Sequence, residues 1–321
     1  MEPAHTSGSE MRLLFWTDPH LADRPPIARS SRYCDEIFEK INEIKDLARS
    51  VDLTILGGDL YHNPRPRDVS HALVRRTIEF LRDWPTDLLV VVGNHDQVPE
   101  QLAGLSRTPL GVVLEALAGS QVRLLNDEVC GGVQLSAAHW SHDLDENPDL
   151  YQLQHHDKSS YAIKVVHGMC LPPGEYPFPC VTMDQVQTGA DIVLLGHMHW
   201  VTEPVRYNGT LFVGPGAIAR TARAQYVSDN VYVAILSLSN GCEPEVELRS
   251  LKSARPADEV FAWTEPRESP TAGLFAGYVA VLESGLDVGG LSVEDALAQV
   301  EAQAPEGVVK RTQEYLKEAG L

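Results

Sequence analysis

Leu53-Thr54-Ile55-Leu56-Gly57-Gly58-Asp59-Leu60-Tyr61-His62 is the stretch on which the fold turns. A short apolar run of strand type ends in two glycines, and an acid and an imidazole follow. In an open α/β sheet, ligands bind at the carboxyl ends of the strands. The same arrangement recurs on both sides of it. Arg12 to Trp16 precedes Asp18-Pro19-His20, and Leu88 to Val92 precedes Gly93-Asn94-His95-Asp96. Ile163 to Val166 precedes His167-Gly168, and Ile192 to Leu195 precedes Gly196-His197-Met198-His199. Residues scattered over the first two thirds of the chain can therefore converge on one point.

Between these blocks the period changes. Asp35 to Arg49 carries Ile37, Phe38, Ile41, Ile44 and Leu47 at helical spacing, and Asp68 to Trp84 reads as a second helix. Thr108 to Ala118 reads as a third, with Leu110, Val113, Leu114 and Leu117 on one side. Helices between strands imply βαβ crossovers. From Gln121 to Ala138, short β-type runs broken by Asn126-Asp127 and Gly131-Gly132 suggest antiparallel strands. Ser141 to Ser160 reads as a long polar loop, and Leu171 to Pro179, with four prolines, as irregular. Leu211 to Val213 and Val231 to Leu238 read as strands of a second sheet. The expected class is α/β: a βαβ half, then a β-rich half, with helices outside.

A domain over residues 11–250 is expected, after a polar, disordered lead-in over 1–10. Residues 251–321 read as a linker and two short helices, Ser292 to Ala304 and Gly307 to Ala319, separated by Pro305. No apolar run is long enough for a membrane span. Five cysteines without CxxC spacing fit a reduced, cytoplasmic protein. The net charge is −19, and two divalent ions leave −15. A nucleic-acid binder with that balance needs a local basic patch or a partner. Arg24, Arg29, Arg32, Arg65, Arg67, Arg220 and Arg223 follow the metal-type blocks; they read either as such a patch or as solvated arginines.

Chemically, the five blocks offer carboxylates, an amide oxygen and imidazoles. Hard oxygens with imidazole suit Mn, Fe or Zn, and two ions sharing a carboxylate make a hydrolytic centre for phosphate esters. Strand alternation would point Asp18 and His20 at one ion, and the bare Gly57-Gly58 would leave room for metals. His139, His142, His155, His156 and His71 read as surface residues. Trp200 reads either as a base-stacking ring or as packing beneath the site.

Taken in order, the blocks D-x-H, G-D, G-N-H-D, H and G-H-x-H resemble the calcineurin-like metallophosphoesterases over roughly residues 11 to 240. That resemblance implies a two-sheet sandwich with flanking helices and a short C-terminal helical appendage. It also implies two divalent ions, with Mn2+ ahead of Mg2+, Fe2+ or Zn2+. One would be held by Asp18, His20 and His199, the other by Asn94, His167 and His197, with Asp59 bridging. His95 would act as the acid at the leaving oxygen, oriented by Asp96 or another acceptor. Within the superfamily, Gly58-Asp59-Leu60-Tyr61-His62 followed by Asn63-Pro64-Arg65-Pro66, and the segment Gly209 to Arg220, resemble the SbcD-type DNA repair nucleases. That closer likeness implies DNA as substrate and His62 at the scissile phosphate; Arg65, Arg220 and Arg223, from the candidate patch, are the expected substrate contacts. It further implies an SbcC-type ABC ATPase docked through the C-terminal helices, and a homodimer. With so few residues after the core, the capping domain usual in that group is expected to be reduced or absent. Two rivals stand beside it: a phosphodiesterase for small molecules, and a scaffold without catalysis.

Overall fold

The computed structural model describes residues 10–26, 29, 32–65, 69–97, 102–156, 159–176, 178–221 and 230–261. Its first half alternates strand and helix: β1 (Met11–Trp16), α1 (Tyr33–Ala48), β2 (Leu53–Leu56), α2 (His71–Arg82), β3 (Asp87–Val90), α3 (Pro109–Ala116) and β4 (Val122–Leu124). Local chemistry starts the helices. The Ser70 hydroxyl accepts the Leu73 N–H at the start of α2, and the Thr108 hydroxyl accepts that of Gly111 ahead of Pro109 in α3. In α1, Asp35 and Glu36 lie in the first turn and Lys45 in the last, matching the helix dipole.

The second half is mostly strand: β5 (Glu128–Cys130), β6 (Val133–Ala138), β7 (Tyr161–His167), β8 (Cys170–Leu171), β9 (Val181–Thr182), β10 (Ile192–Gly196), β11 (Thr202–Tyr207), β12 (Thr210–Gly214), β13 (Tyr232–Leu238) and β14 (Glu245–Ser250). A single helical turn, α4 (Ala257–Val260), follows. Two six-stranded sheets result, ordered β14-β13-β1-β2-β3-β4 and β11-β12-β10-β7-β6-β5.

Side-chain alternation explains how they stack. On β1, Leu14 and Trp16 face α1 and α2, whereas Leu13 and Phe15 meet the other sheet. On β10, Ile192 and Leu194 fill the space between the sheets, and Val193 and Leu195 face the far side. Both sheets are apolar on both faces because both faces are covered. Each large apolar side chain so buried contributes about 1.5–3 kcal/mol relative to exposure.

Three expectations change. Val231 to Leu238 joins the first sheet, antiparallel to β1, because Val233 and Ile235 pack toward the helices while Ala234 and Leu236 pack between the sheets. In Gln121 to Ala138, β4 pairs parallel with β3 and β6 parallel with β7; only β5 and β6 are antiparallel. The polar segment from Ser141 contains two 3-10 turns, His142–Asp145 and Pro148–Tyr151. Leu144, Tyr151 and Leu153 anchor it over the outer face of the second sheet. Single turns bury too few residues to leave a period in the sequence. Beyond Ser250, Val260 and Phe261 are also buried, and Arg29 bridges to Phe261. The C-terminal helices expected after 291 lie outside the described residues.

Candidate metal centre

Register brings the five blocks together. Trp16 pairs with Leu56, and Leu56 with Val90, so three strands of the first sheet end side by side. In the second sheet Gly196 pairs with His167. The two edges meet where the His167 Nδ1–H donates to the Gly57 carbonyl at 2.7 Å. That bond leaves His167 Nε2 to face the centre, the usual way a protein orients a ligating imidazole. Gly57 and Gly58 make room for side chains rather than for ions. A Cβ on Gly58 would collide with the His167 ring, and Gly58 itself sits at φ +116°.

Each carboxylate is held by one oxygen and presents the other. Asp18 Oδ2 accepts the His197 N–H at 3.1 Å and the Thr17 hydroxyl. Asp59 Oδ1 accepts the His95 N–H at 2.8 Å. The remaining oxygens, Asp18 Oδ1 and Asp59 Oδ2, are buried without a hydrogen-bond partner. A buried anionic oxygen left so is costly unless a cation meets it. Asp18 Oδ1 lies 3.7 Å from both His20 Nε2 and His199 Nε2. Asp59 Oδ2 lies 3.6 Å from His20 Nε2 and 3.4 Å from His167 Nε2. Asn94 Oδ1 lies 3.2 Å from His167 Nε2 and 3.0 Å from His197 Nδ1. Asp18, His20 and His199 thus form one group of donors and Asp59, His167 and His197 another, each with ligand atoms within 4.8 Å. The donor set fits two divalent ions.

Strand alternation does not aim these side chains. β1 stops at Trp16, and Asp18 (φ 55°) and His20 (φ 44°) take left-handed conformations on either side of Pro19. Asp59 (φ 53°) and His197 (φ 71°) do the same. Each costs on the order of 1–3 kcal/mol and persists only where the surroundings hold it. Strain concentrated on four donors marks the site as built.

The electrostatics favour ligation. Burial, reinforced by neighbouring imidazoles, holds His20 well below its ordinary range, pulls His62 to about 4 and His197 to about 3. These rings are neutral, the form that binds metals. Burial alone would raise Asp59, but His167, His95 and His20 outweigh it and keep the carboxyl ionised. Burial would likewise lower His167, yet Asp59 lifts it to about 10. That pair demands a positive charge between its atoms, and a divalent ion supplies one while displacing the proton.

His95 and His62 stand beside the first group. Their rings stack at 5.4 Å, and both lie near His20, with centroids at 4.8 and 5.4 Å. His95 Nδ1 lies 2.7 Å from the His62 carbonyl oxygen, which accepts its proton and leaves Nε2 outward. That carbonyl, not Asp96, orients the ring. Asp96 accepts the N–H groups of Gly93 at 3.1 Å and Tyr61 at 3.3 Å, and burial together with Asp59 pushes it up to about 8. It holds the turn that carries Asn94 and His95.

The basic residues are less convergent. Arg220 is fully buried and donates to the Arg255 carbonyl, so it cannot meet a substrate from the surface. Arg29 is buried against Glu36 at 2.6 Å, and Arg32 pairs with Glu39. Arg65 is half-buried just beyond His62, its N–H on Asn63 Oδ1. Arg223 and Arg67 lie outside the described residues. Trp200, His71, His142, His155 and His156 are exposed. His139 is not: its Nδ1 accepts the Val92 N–H at 3.0 Å, and burial lowers it to about 4. It closes the end of β3 next to Asn94, as Thr17 locks Asp18. Neither role carries a spacing signal in the sequence.

A family model described as calcineurin-like phosphoesterase matches residues 11–201. Among solved structures, a purple acid phosphatase from yellow lupin (Lupinus luteus) seeds superposes with a TM-score of 0.51 at 14% identity, over 78% of this chain and 53% of that one. The chain therefore spans about half the length of the lupin enzyme. A Thermus thermophilus protein matches at 11% identity and a TM-score of 0.45, over 76% of this chain and 100% of its own. An archaeal phosphodiesterase matches at 13% identity and 0.36, over 74% and 100%. At these identities the likeness to the lupin enzyme is one of fold. No curated protein matches the chain significantly.

Proposed function

The chain belongs to the calcineurin-like phosphoesterase family, whose chemistry is metal-dependent phosphoester hydrolysis, and from that premise we propose a two-metal phosphodiesterase acting on DNA, the nuclease subunit of an SbcCD-type repair complex. The observation that carries the two-metal part is Asp59 Oδ2, buried between His20 Nε2 at 3.6 Å on one side and His167 Nε2 at 3.4 Å on the other. Asp18, His20 and His199 would hold one ion, Asn94, His167 and His197 the second, and Asp59 both; Mn2+ suits this mixed oxygen and nitrogen set. When bound, the ions lower the pKa of a water and draw charge from the phosphoryl oxygens.

The chain's own residues do the rest. The His62 carbonyl accepts the Nδ1 proton of His95, so Nε2 is the atom that would carry a further proton to the leaving oxygen. His62, stacked on His95, offers a second imidazole to the scissile phosphate. His62 follows Asp59 by three residues, as in SbcD-type nucleases, and this supports DNA over a small ester. The C-terminal segment, with Leu297, Val300, Val309 and Leu316 as contacts, would dock on an SbcC-type ATPase that supplies basic surface to a chain of net charge −19. Pairing into a homodimer and a cytoplasmic setting belong to the same reading. Among the described residues no helix is long and apolar enough to cross a membrane.

One observation favours a small phosphodiester instead. Of the arginines that the sequence offers as a basic patch, Arg29 and Arg220 are buried and Arg32 is paired. Incubation with Mn2+ and labelled single- and double-stranded DNA, beside cyclic nucleotides and nucleotide diphosphate esters, separates the two. Preference for DNA is expected; turnover of the small esters alone would overturn the nuclease reading.

A further inference from the structure

Lys40 lies on the buried side of α1 and is 1% exposed. Withdrawing an ammonium from water costs several kcal/mol, and a partner must offset it. Glu36, the near acid on the same turn, is already committed to Arg29 at 2.6 Å. The Lys40 Nζ instead donates to the Ile218 carbonyl at 2.7 Å, 178 residues away in sequence. Burial, with Arg220 and Arg29 nearby, holds Lys40 well below its ordinary range.

What Ile218 touches gives the contact its meaning. The Ile218 N–H donates to the Thr17 carbonyl and the Ala219 N–H to the Asp18 carbonyl, both at 3.1 Å. The Ala217 N–H donates to the His199 carbonyl, also at 3.1 Å. Gly216, at φ +76°, makes the approach: a Cβ there would meet the His199 carbonyl at 2.9 Å. Residues 217–219 therefore tie the loop carrying Asp18 and His20, in the first sheet, to the loop carrying His199, in the second. Asp18 and His20 are among the residues in left-handed conformations, which this tie helps to hold.

We propose that Lys40 is a positioning residue for the cation held by Asp18, His20 and His199, acting through residues 217–219, whose backbone it clamps against both ligand loops. The inference rests on the two-ion reading above. It makes a helix on the far side of the first sheet part of the support of that ion.

Lys40→Met tests it, because the two side chains have similar length and the replacement leaves neither a buried charge nor a large cavity. Mn2+ binding is measured by titration calorimetry on the full chain, with melting in parallel. The expected result is two Mn2+ in the unaltered chain. In Lys40→Met one of them should weaken by about tenfold or more, the scale of lost supporting interactions at metal sites, and by more than the other. Leu73→Ala, a cavity in the same core but on α2, should lower the melting point and leave both affinities alone. If Lys40→Met does not fold, Lys40→Gln, too short to reach Ile218, takes its place with the same expectation. Unchanged affinities in the folded variant, or an equal loss in Leu73→Ala, would overturn the proposal. Failure of the unaltered chain to take up two Mn2+ would remove the two-ion reading itself.

Discussion

The two sheet edges that meet at the centre contribute unlike chemistry. The first sheet supplies every oxygen donor of the centre, on Asp18, Asp59 and Asn94, with His20 beside them. The second supplies imidazoles alone: His167, His197 and His199. Its ligands are also braced from the first, His167 by the Gly57 carbonyl and the His197 N–H by Asp18. Neither edge alone closes a coordination sphere, so a high-affinity site forms only when the sheets have packed. The carboxylates sit on one edge and imidazoles alone on the other, and Asp59 reaches both halves.

That asymmetry can be broken most severely at Asp59. Asp59→Asn keeps the shape and removes the shared charge. It should abolish tight uptake of both ions and lower phosphodiester turnover by about 1,000-fold or more, at or beyond the upper end for loss of one preorganised electrostatic group. Metal analysis after loading with Mn2+ and gel filtration checks it, and retention of two tight ions would remove Asp59 from the bridging position. The imidazole side predicts a smaller, one-sided loss. His197→Ala should leave about one ion per chain, because Asp18, His20 and His199 stay intact.

A third variant separates binding from chemistry. His95→Asn should retain two ions while cutting turnover by about 100-fold, the scale of a general acid. A matching loss of metal would show His95 to be a ligand, and full activity would show that another group protonates the leaving oxygen.

The smallest effect concerns the seam between the edges, at His139. Only a neutral ring can accept the Val92 N–H, and the folded value of about 4 lies below that of an exposed imidazole. The unfolded chain therefore binds more protons between pH 6.5 and 4, and the stabilisation is lost as pH falls through that window. The loss is about 2 kcal/mol after allowing for partial exposure. His20, His62 and His197 act in the same direction, so the measurement is a difference. Chemical denaturation of His139→Asn and the parent at pH 4 to 7.5 should show a shallower pH slope in the variant, and equal slopes would remove His139 from the account.

Much of this was legible in the residues. Leu53 to His62 and its four counterparts specify strands that end in donors, and the helical stripes between them specify crossovers. Hydrophobic periodicity determines each element because each buries a predictable face. The donor types, likewise, are read directly from the chain. What only the tertiary structure decided is where nonlocal packing outweighs local pattern. Val231 to Leu238 carries the same apolar character as any buried strand, and pairing with β1, not composition, puts it in the first sheet. Arg220 reads as a surface cation until the segment 214–221 folds inward. The left-handed turns at Asp18, His20 and Asp59 cost energy locally, so no propensity signals them; their surroundings supply the compensation. Lys40 reads as the solvated flank of an amphipathic helix, and becomes a support of the centre only because Ile218, from the far end of the domain, brings it a carbonyl.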